Sequence, residues 1–167
     1  MINNIFFITT IVMLAFIASL SKADDMGCLV EAIYHEARSE PFTAQLSVAN
    51  VILERVADDR FPNTICKVVH QGKYNRKGQP IRNKCMFSYW CDGKSERMRE
   101  THALKKVIHV AELAMKGVQV GLTQGATHYH ANYVQPQWAS SENFMYVGNM
   151  GKHVFYLDMR SPIVYSR

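Results

Sequence analysis

An α+β domain, mostly helical with a small β portion, is predicted by three observations. The length, 167 residues with 48% apolar and 20% charged residues, suits one globular domain rather than a disordered chain. Apolar residues recur at helical spacing in three stretches of the first two thirds. The last third changes character: "TQGATHYHANYVQPQWASSENFMYVGNMGKHVFYLD" sets Gly, Pro and aromatic residues at short intervals without a helical period, as strands and ordered loops do.

Residues 1–23, "MINNIFFITTIVMLAFIASLSKA", are expected to be a secretory signal peptide. An apolar run ends at Leu20, small residues stand at Ser21 and Ala23, and polar Asp24-Asp25 follow. The n-region holds no Lys or Arg, so a retained N-terminal anchor is the alternative. Either way, residues 24–167 would form an exported domain, periplasmic or extracellular. The net charge of +5 suits an anionic target such as a cell envelope, although many secreted proteins are basic. Four cysteines in an oxidising compartment point to two disulfides. Cys85 and Cys91 flank a short aromatic loop and are natural partners, which leaves Cys28 with Cys66. No Cys-x-x-Cys pair favours a metal instead.

The elements follow in order. The first helix is expected from Cys28 to Ser39, broken at Glu40-Pro41 because the residue before proline is pushed out of the helical region. A second helix, Phe42 to Ala57, carries Leu46, Val48, Ala49, Val51, Ile52, Leu53 and Val56 on a broad face. A turn at Pro62 leads to a short helix or strand, Ile65 to Val69. Residues 70–97, rich in Gly, Asn, Lys and Arg, read as a loop or short hairpin. A third helix, Thr101 to Lys116, stops at Gly117.

Three glutamates in the first helical region differ in placement. At roughly 100° per residue from Leu29, Glu36 and Glu40 fall near the edge of the apolar arc, while Glu31 lies opposite and is expected in solvent. A carboxylate at the margin of a buried face loses hydration and its pKa rises, which is the state a general acid needs. The bland alternative is an ion pair of Glu36 with Arg38, Arg55 or another cation.

"CMFSYWCDG" packs Phe87, Tyr89 and Trp90 between two cysteines, either as a platform for sugar rings or as a core plug. Asp92, in a turn, is a candidate second carboxylate. In "GATHYHA", His128 and His130 would project from one face of a strand. With His153 they would supply three ligands of a catalytic zinc in a metal-dependent amidase or endopeptidase. The competing reading is packing and hydrogen bonding in a cleft wall. The chain has no phosphate loop, dinucleotide fingerprint or Gly-x-Ser-x-Gly elbow. The cations of residues 73–84 read as a solvated loop rather than a nucleic-acid surface.

Taken together, "EAIYHEARSEPFTAQLSVANVILERV", "RFPNTICKVVHQ", "CMFSYWCDG", "GATHYHANYVQPQWA" and "VGNMGKHVFY" resemble the SleB-type cell wall hydrolase family in motif order, from about Cys28 to Tyr156. That family includes spore cortex-lytic enzymes and related hydrolases of bacteria and phages. The resemblance implies a lysozyme-like catalytic domain that cleaves the bond between N-acetylmuramic acid and N-acetylglucosamine, commonly by lytic transglycosylation. The family's catalytic glutamate falls on Glu36. Ser39 replaces the usual glycine, and the histidines of "THYH" stand where spore enzymes tend to carry aromatic or apolar residues. Glu40, Phe87, Tyr89, Trp90, Asp92, His128, Tyr129, His130 and Trp138 are the candidate substrate contacts. The expected partner is a peptidoglycan glycan strand, bound by a monomer with no cofactor, no nucleic acid and no membrane contact beyond an uncleaved N-terminus. A non-catalytic wall-binding module would keep the aromatic platform alone.

Overall fold

The computed structural model describes residues 24–99 and 101–160, so the expected signal peptide lies outside the described residues. No helix among them is long and apolar enough to cross a membrane. Helix α1 occupies residues 24–37 and ends two residues before the expected stop, with Glu40 N–H donating to the Ala37 carbonyl at 2.9 Å. Its buried set, Leu29, Ala32, Ile33 and Ala37, follows helical spacing. Helix α2 (Phe42–Ala57) has the predicted bounds, but it is buried well beyond one face, including Gln45, Ser47 and Asn50. Each of these polar side chains has a partner, as burial demands. Gln45 Nε2 donates to the Glu40 carbonyl (3.0 Å), Ser47 Oγ accepts from Thr123 Oγ1 (3.0 Å), and Asn50 bonds the backbone of Val118 and Val120 at 3.0 Å.

The undecided segment after Pro62 is a helix, α3 (Ile65–Val69), capped by Thr64, whose side chain accepts from Lys67 N–H. The Cys28–Cys66 disulfide ties it to α1, and Cys85–Cys91 closes the aromatic loop, the pairing expected from spacing. Strands β1 (Gly72–Tyr74) and β2 (Pro80–Cys85) form an antiparallel hairpin, and Ser88–Cys91 makes a 3₁₀ turn. Helix α4 (Thr101–Met115) packs on α2. It closes with Val118 N–H on the Leu113 carbonyl and Gly117 N–H on that of Ala114. This Schellman geometry needs the left-handed conformation of Gly117, φ 86°.

The tail forms a three-stranded antiparallel sheet of β3 (His128–Ala131), β4 (Phe144–Met150) and β5 (His153–Asp158), in the order β3-β5-β4. The core lies between α1, α2, α4 and one sheet face, where Phe155 is fully buried. The architecture is therefore α+β and mostly helical.

Candidate active site

Where α1 ends, its last turn meets α2, the loop after β2 and the β3–β5 edge of the sheet. These elements enclose a cleft of about 820 Å³, into which Glu36 opens. Phe87, Tyr89, Asp92, Tyr129 and His130 line the same cleft, so six of the ten sequence candidates converge there.

Glu36 is half-buried and in no ion pair among the described residues. The expected alternative partner Arg38 instead lies over the Tyr34 ring at 5.0 Å and donates to the Tyr34 carbonyl. The Tyr129 hydroxyl donates to Glu36 Oε2 at 3.1 Å. Burial pushes the Glu36 carboxyl above its ordinary pKa, while the Tyr129 bond, His35 and Arg55 oppose the rise. Arg55 is only 5% exposed. Its Nε donates to the Thr127 carbonyl at 2.7 Å, and its guanidinium lies 5.2 Å from the Phe61 ring and 5.4 Å from that of Phe87. Burial also lowers the Arg55 pKa, with Tyr129 and Glu36 holding it up. The result is a carboxyl biased toward its protonated form, yet close enough to a phenol and a cation to bear negative charge transiently.

The solvent placement expected for Glu31 is corrected. Burial, reinforced by Glu96 and opposed by His35, raises its pKa. The buried arc of α1 extends to Tyr34, and the Ser88–Cys91 turn sets Tyr89 beside Glu31. Tyr89 stacks on His35 (4.8 Å between centroids, 12° apart), and His35 Nε2 is 2.9 Å from the Glu96 carbonyl.

Four candidates stand outside the cleft. Trp90 stacks on His70 at 3.6 Å and donates from Nε1 to the Tyr74 hydroxyl, so it braces the hairpin. Trp138 packs on His128, His130, Phe144 and Tyr156. His128 shares a separate pocket with Arg60, Phe61, Asp158 and Arg160. Burial, followed by Arg55, lowers its pKa to about 4. Glu40 accepts from Lys152 N–H at 3.0 Å and pairs with the Lys152 ammonium, fixing the β4–β5 turn to the start of α2.

The three histidines do not assemble. His128 and His130 share a sheet face, as expected, and both contact Trp138. His153 pairs opposite Ala131 and contacts Tyr129 and Phe155, which places it on the other face. Among the described residues they do not gather within ligand distance.

Sequence reasoning passed over several cleft residues: Tyr34, His35, Lys94, Glu96, Arg97, Arg99 and Tyr133. Tyr133 is 81% exposed at the rim. Arg55 had a legible signal, because it follows Val51 and Ile52 by four and three residues and so falls on the apolar face of α2. The rim residues lie in irregular loops without a period to mark their direction.

The sequence profile described as Cell Wall Hydrolase matches residues 39–156, beginning three residues after Glu36. Curated relatives include spore cortex-lytic enzymes of Bacillus cereus and Bacillus subtilis strain 168. They are 42% and 40% identical over 48 residues, 29% of this chain and 18% and 16% of theirs. The chain thus matches less than a fifth of their length. Two solved structures are similar over most of the chain. One is the catalytic domain of Bacillus cereus SleB (26% identity, 80% of this chain and 90% of that one, TM-score 0.56). The other is the catalytic domain of the germination-specific lytic transglycosylase SleB of Bacillus anthracis (27%, 79% and 93%, TM-score 0.57).

Proposed function

The chain belongs to the cell wall hydrolase family, and from that premise we propose that it cleaves the MurNAc–GlcNAc bond of peptidoglycan as an exported lytic transglycosylase with Glu36 as its acid and base. The observation that carries this reading is the half-buried Glu36 carboxyl, in no ion pair among the described residues, raised in pKa and open to a large cleft. Protonated Glu36 donates its proton to the glycosidic oxygen as the bond to C1 of N-acetylmuramic acid breaks. The same carboxylate then takes the proton of that sugar's C6 hydroxyl as its oxygen bonds to C1, closing a 1,6-anhydro ring. The nucleophile is tethered, so no second carboxylate has to position water. Tyr129 would steady the carboxylate between the two steps, and the exposed Tyr133 offers a face to a sugar ring at the rim.

A hydrolytic muramidase is the second reading, because Asp92 opens on the same cleft. Asp92, however, already accepts from Lys94 N–H at 2.7 Å and faces the Lys94 ammonium at 3.6 Å. Mass spectrometry of digested purified sacculi separates the two: anhydro ends are one water lighter than reducing ends, and reducing ends alone would refute transglycosylation. Glu36→Gln keeps the shape and removes the acid. Dissolution of sacculi by this variant at the wild-type rate would remove Glu36 from the mechanism.

A further inference from the structure

The β1–β2 hairpin is a strongly charged surface outside the cleft. Between Gly72 and Cys85 it carries Lys73, Arg76, Lys77, Arg82 and Lys84, all exposed, and no acidic residue. None of the five enters an ion pair among the described residues. The charges sit on an ordered frame. Asn75 Oδ1 accepts from Lys77 N–H (2.9 Å) and Gln79 N–H (3.0 Å), which holds the tip that presents Arg76 and Lys77. At the base, the Tyr74 hydroxyl donates to the His70 carbonyl and accepts from Trp90 Nε1, while Cys85–Cys91 locks the strand to the aromatic turn.

The hairpin is also continuous with the cleft. The Arg82 side chain lies against Gly93, where an added Cβ would meet Nε at 3.7 Å. The loop that follows Gly93 brings Lys94, Arg97 and Arg99 to the cleft rim. Glu96 is the acid of that loop, and Asp92, just before Gly93, is engaged by Lys94. A cationic track therefore runs from the rim to the hairpin tip.

Resting on the peptidoglycan reading above, we infer that this hairpin is a second substrate-binding surface that takes the free carboxylates of the peptide stems on a glycan strand leaving the cleft. Peptidoglycan stems repeat along the strand and carry such carboxylates. A set of exposed cations on an ordered hairpin that carries no acidic residue of its own is complementary to a repeated anion, and in high dielectric its grip is additive and salt-sensitive. Trp90 thereby acts as the brace of this surface rather than as a cleft contact.

The test is co-sedimentation with purified sacculi in the Glu36→Gln background, with and without Arg76→Glu, Lys77→Glu and Lys84→Glu together. Sacculi with intact stems are compared with sacculi stripped of stems by an amidase, and with sacculi freed of phosphate polymers by hydrofluoric acid. Charge reversal is expected to weaken retention on stem-bearing sacculi about tenfold, as is about 0.5 M salt, with little change on stripped sacculi. Undiminished retention by the reversed variant overturns the inference. So does an equal loss on stripped sacculi, or retention that depends on the phosphate polymers instead. Arg76→Gln with Lys77→Gln, checked by thermal melting, gives the same reading if charge reversal impairs folding. Dissolution of sacculi by the Glu36→Gln protein would refute the catalytic reading separately, leaving the retention result to report on the hairpin.

Discussion

Glu36 and its neighbours make opposing demands on one proton. Its raised pKa means that the folded chain holds this proton more tightly than the unfolded chain does. The associated stability is complete below the ordinary value of 4.5 and is lost as pH rises through the elevated one. Glu36→Gln should therefore melt at a higher temperature than wild type at pH 7, and the difference should vanish at acidic pH where both are uncharged; differential scanning calorimetry across pH checks this. The proposed acid role also predicts that kcat falls as pH rises through the same pKa. Tyr129 lowers that pKa by its hydrogen bond, so Tyr129→Phe should move the alkaline limb of the rate profile to higher pH and reduce kcat about tenfold or more. An unmoved limb would mean that the phenol does not tune the carboxyl. Helical periodicity alone placed Glu36 at the edge of the core. It misplaced Glu31, because the covering turn comes from residues more than fifty positions away and leaves no mark on the local pattern.

Between elements, a few side chains hold the helical half to the sheet. Asp158, at the end of β5, accepts from Arg60 at 2.7 Å and Arg160 at 2.8 Å, which hold its carboxyl well below the usual carboxylate range. A depressed pKa gives stability that is present above the ordinary carboxylate value and lost as pH falls through the lowered one. Asp158→Asn should cost roughly 2–3 kcal/mol at pH 7 and progressively less in strong acid, as read by urea unfolding. Glu40 has a similar bridging place at the β4–β5 turn, where a Cβ on Gly151 (φ 59°) would collide with Glu40 Oε2. Glu40→Ala should lower the melting temperature and leave the pH dependence of catalysis where it is. Movement of that pH profile would return Glu40 to the chemistry. The α2 bounds were legible from Pro41 and the apolar run. The segment at Ile65–Val69 was undecidable because a run of five residues is too short to carry a period, and Thr64 capping settled it as helix.

Across the whole molecule, the cleft lies where a helical layer and a small sheet meet without filling the space between them. The Cys28–Cys66 bridge spans 38 positions and fastens α3 to α1, the helix that carries Glu36. Its removal by Cys28→Ala with Cys66→Ala should cost about 3–4 kcal/mol by releasing the unfolded chain. Thermal melts of the variant would measure that loss. The amino-acid sequence by itself determined the fold class, three of the helices and the presence of two disulfides, since each depends on local period, punctuation or cysteine count. Periodicity set Glu36 and Glu40 alike at the edge of the core, and the family resemblance singled out Glu36 as the expected acid. Only the tertiary structure decided that Phe87, Tyr89, Asp92, Tyr129 and His130 share a cleft with Glu36 while Glu40, Trp90, His128 and Trp138 do not. Only it brought the buried Arg55 near the acid and set His153 on the opposite sheet face from the other two histidines. The physical reason is common to these cases: which way a loop or strand residue faces is set by what packs over it, and those partners lie far away in sequence.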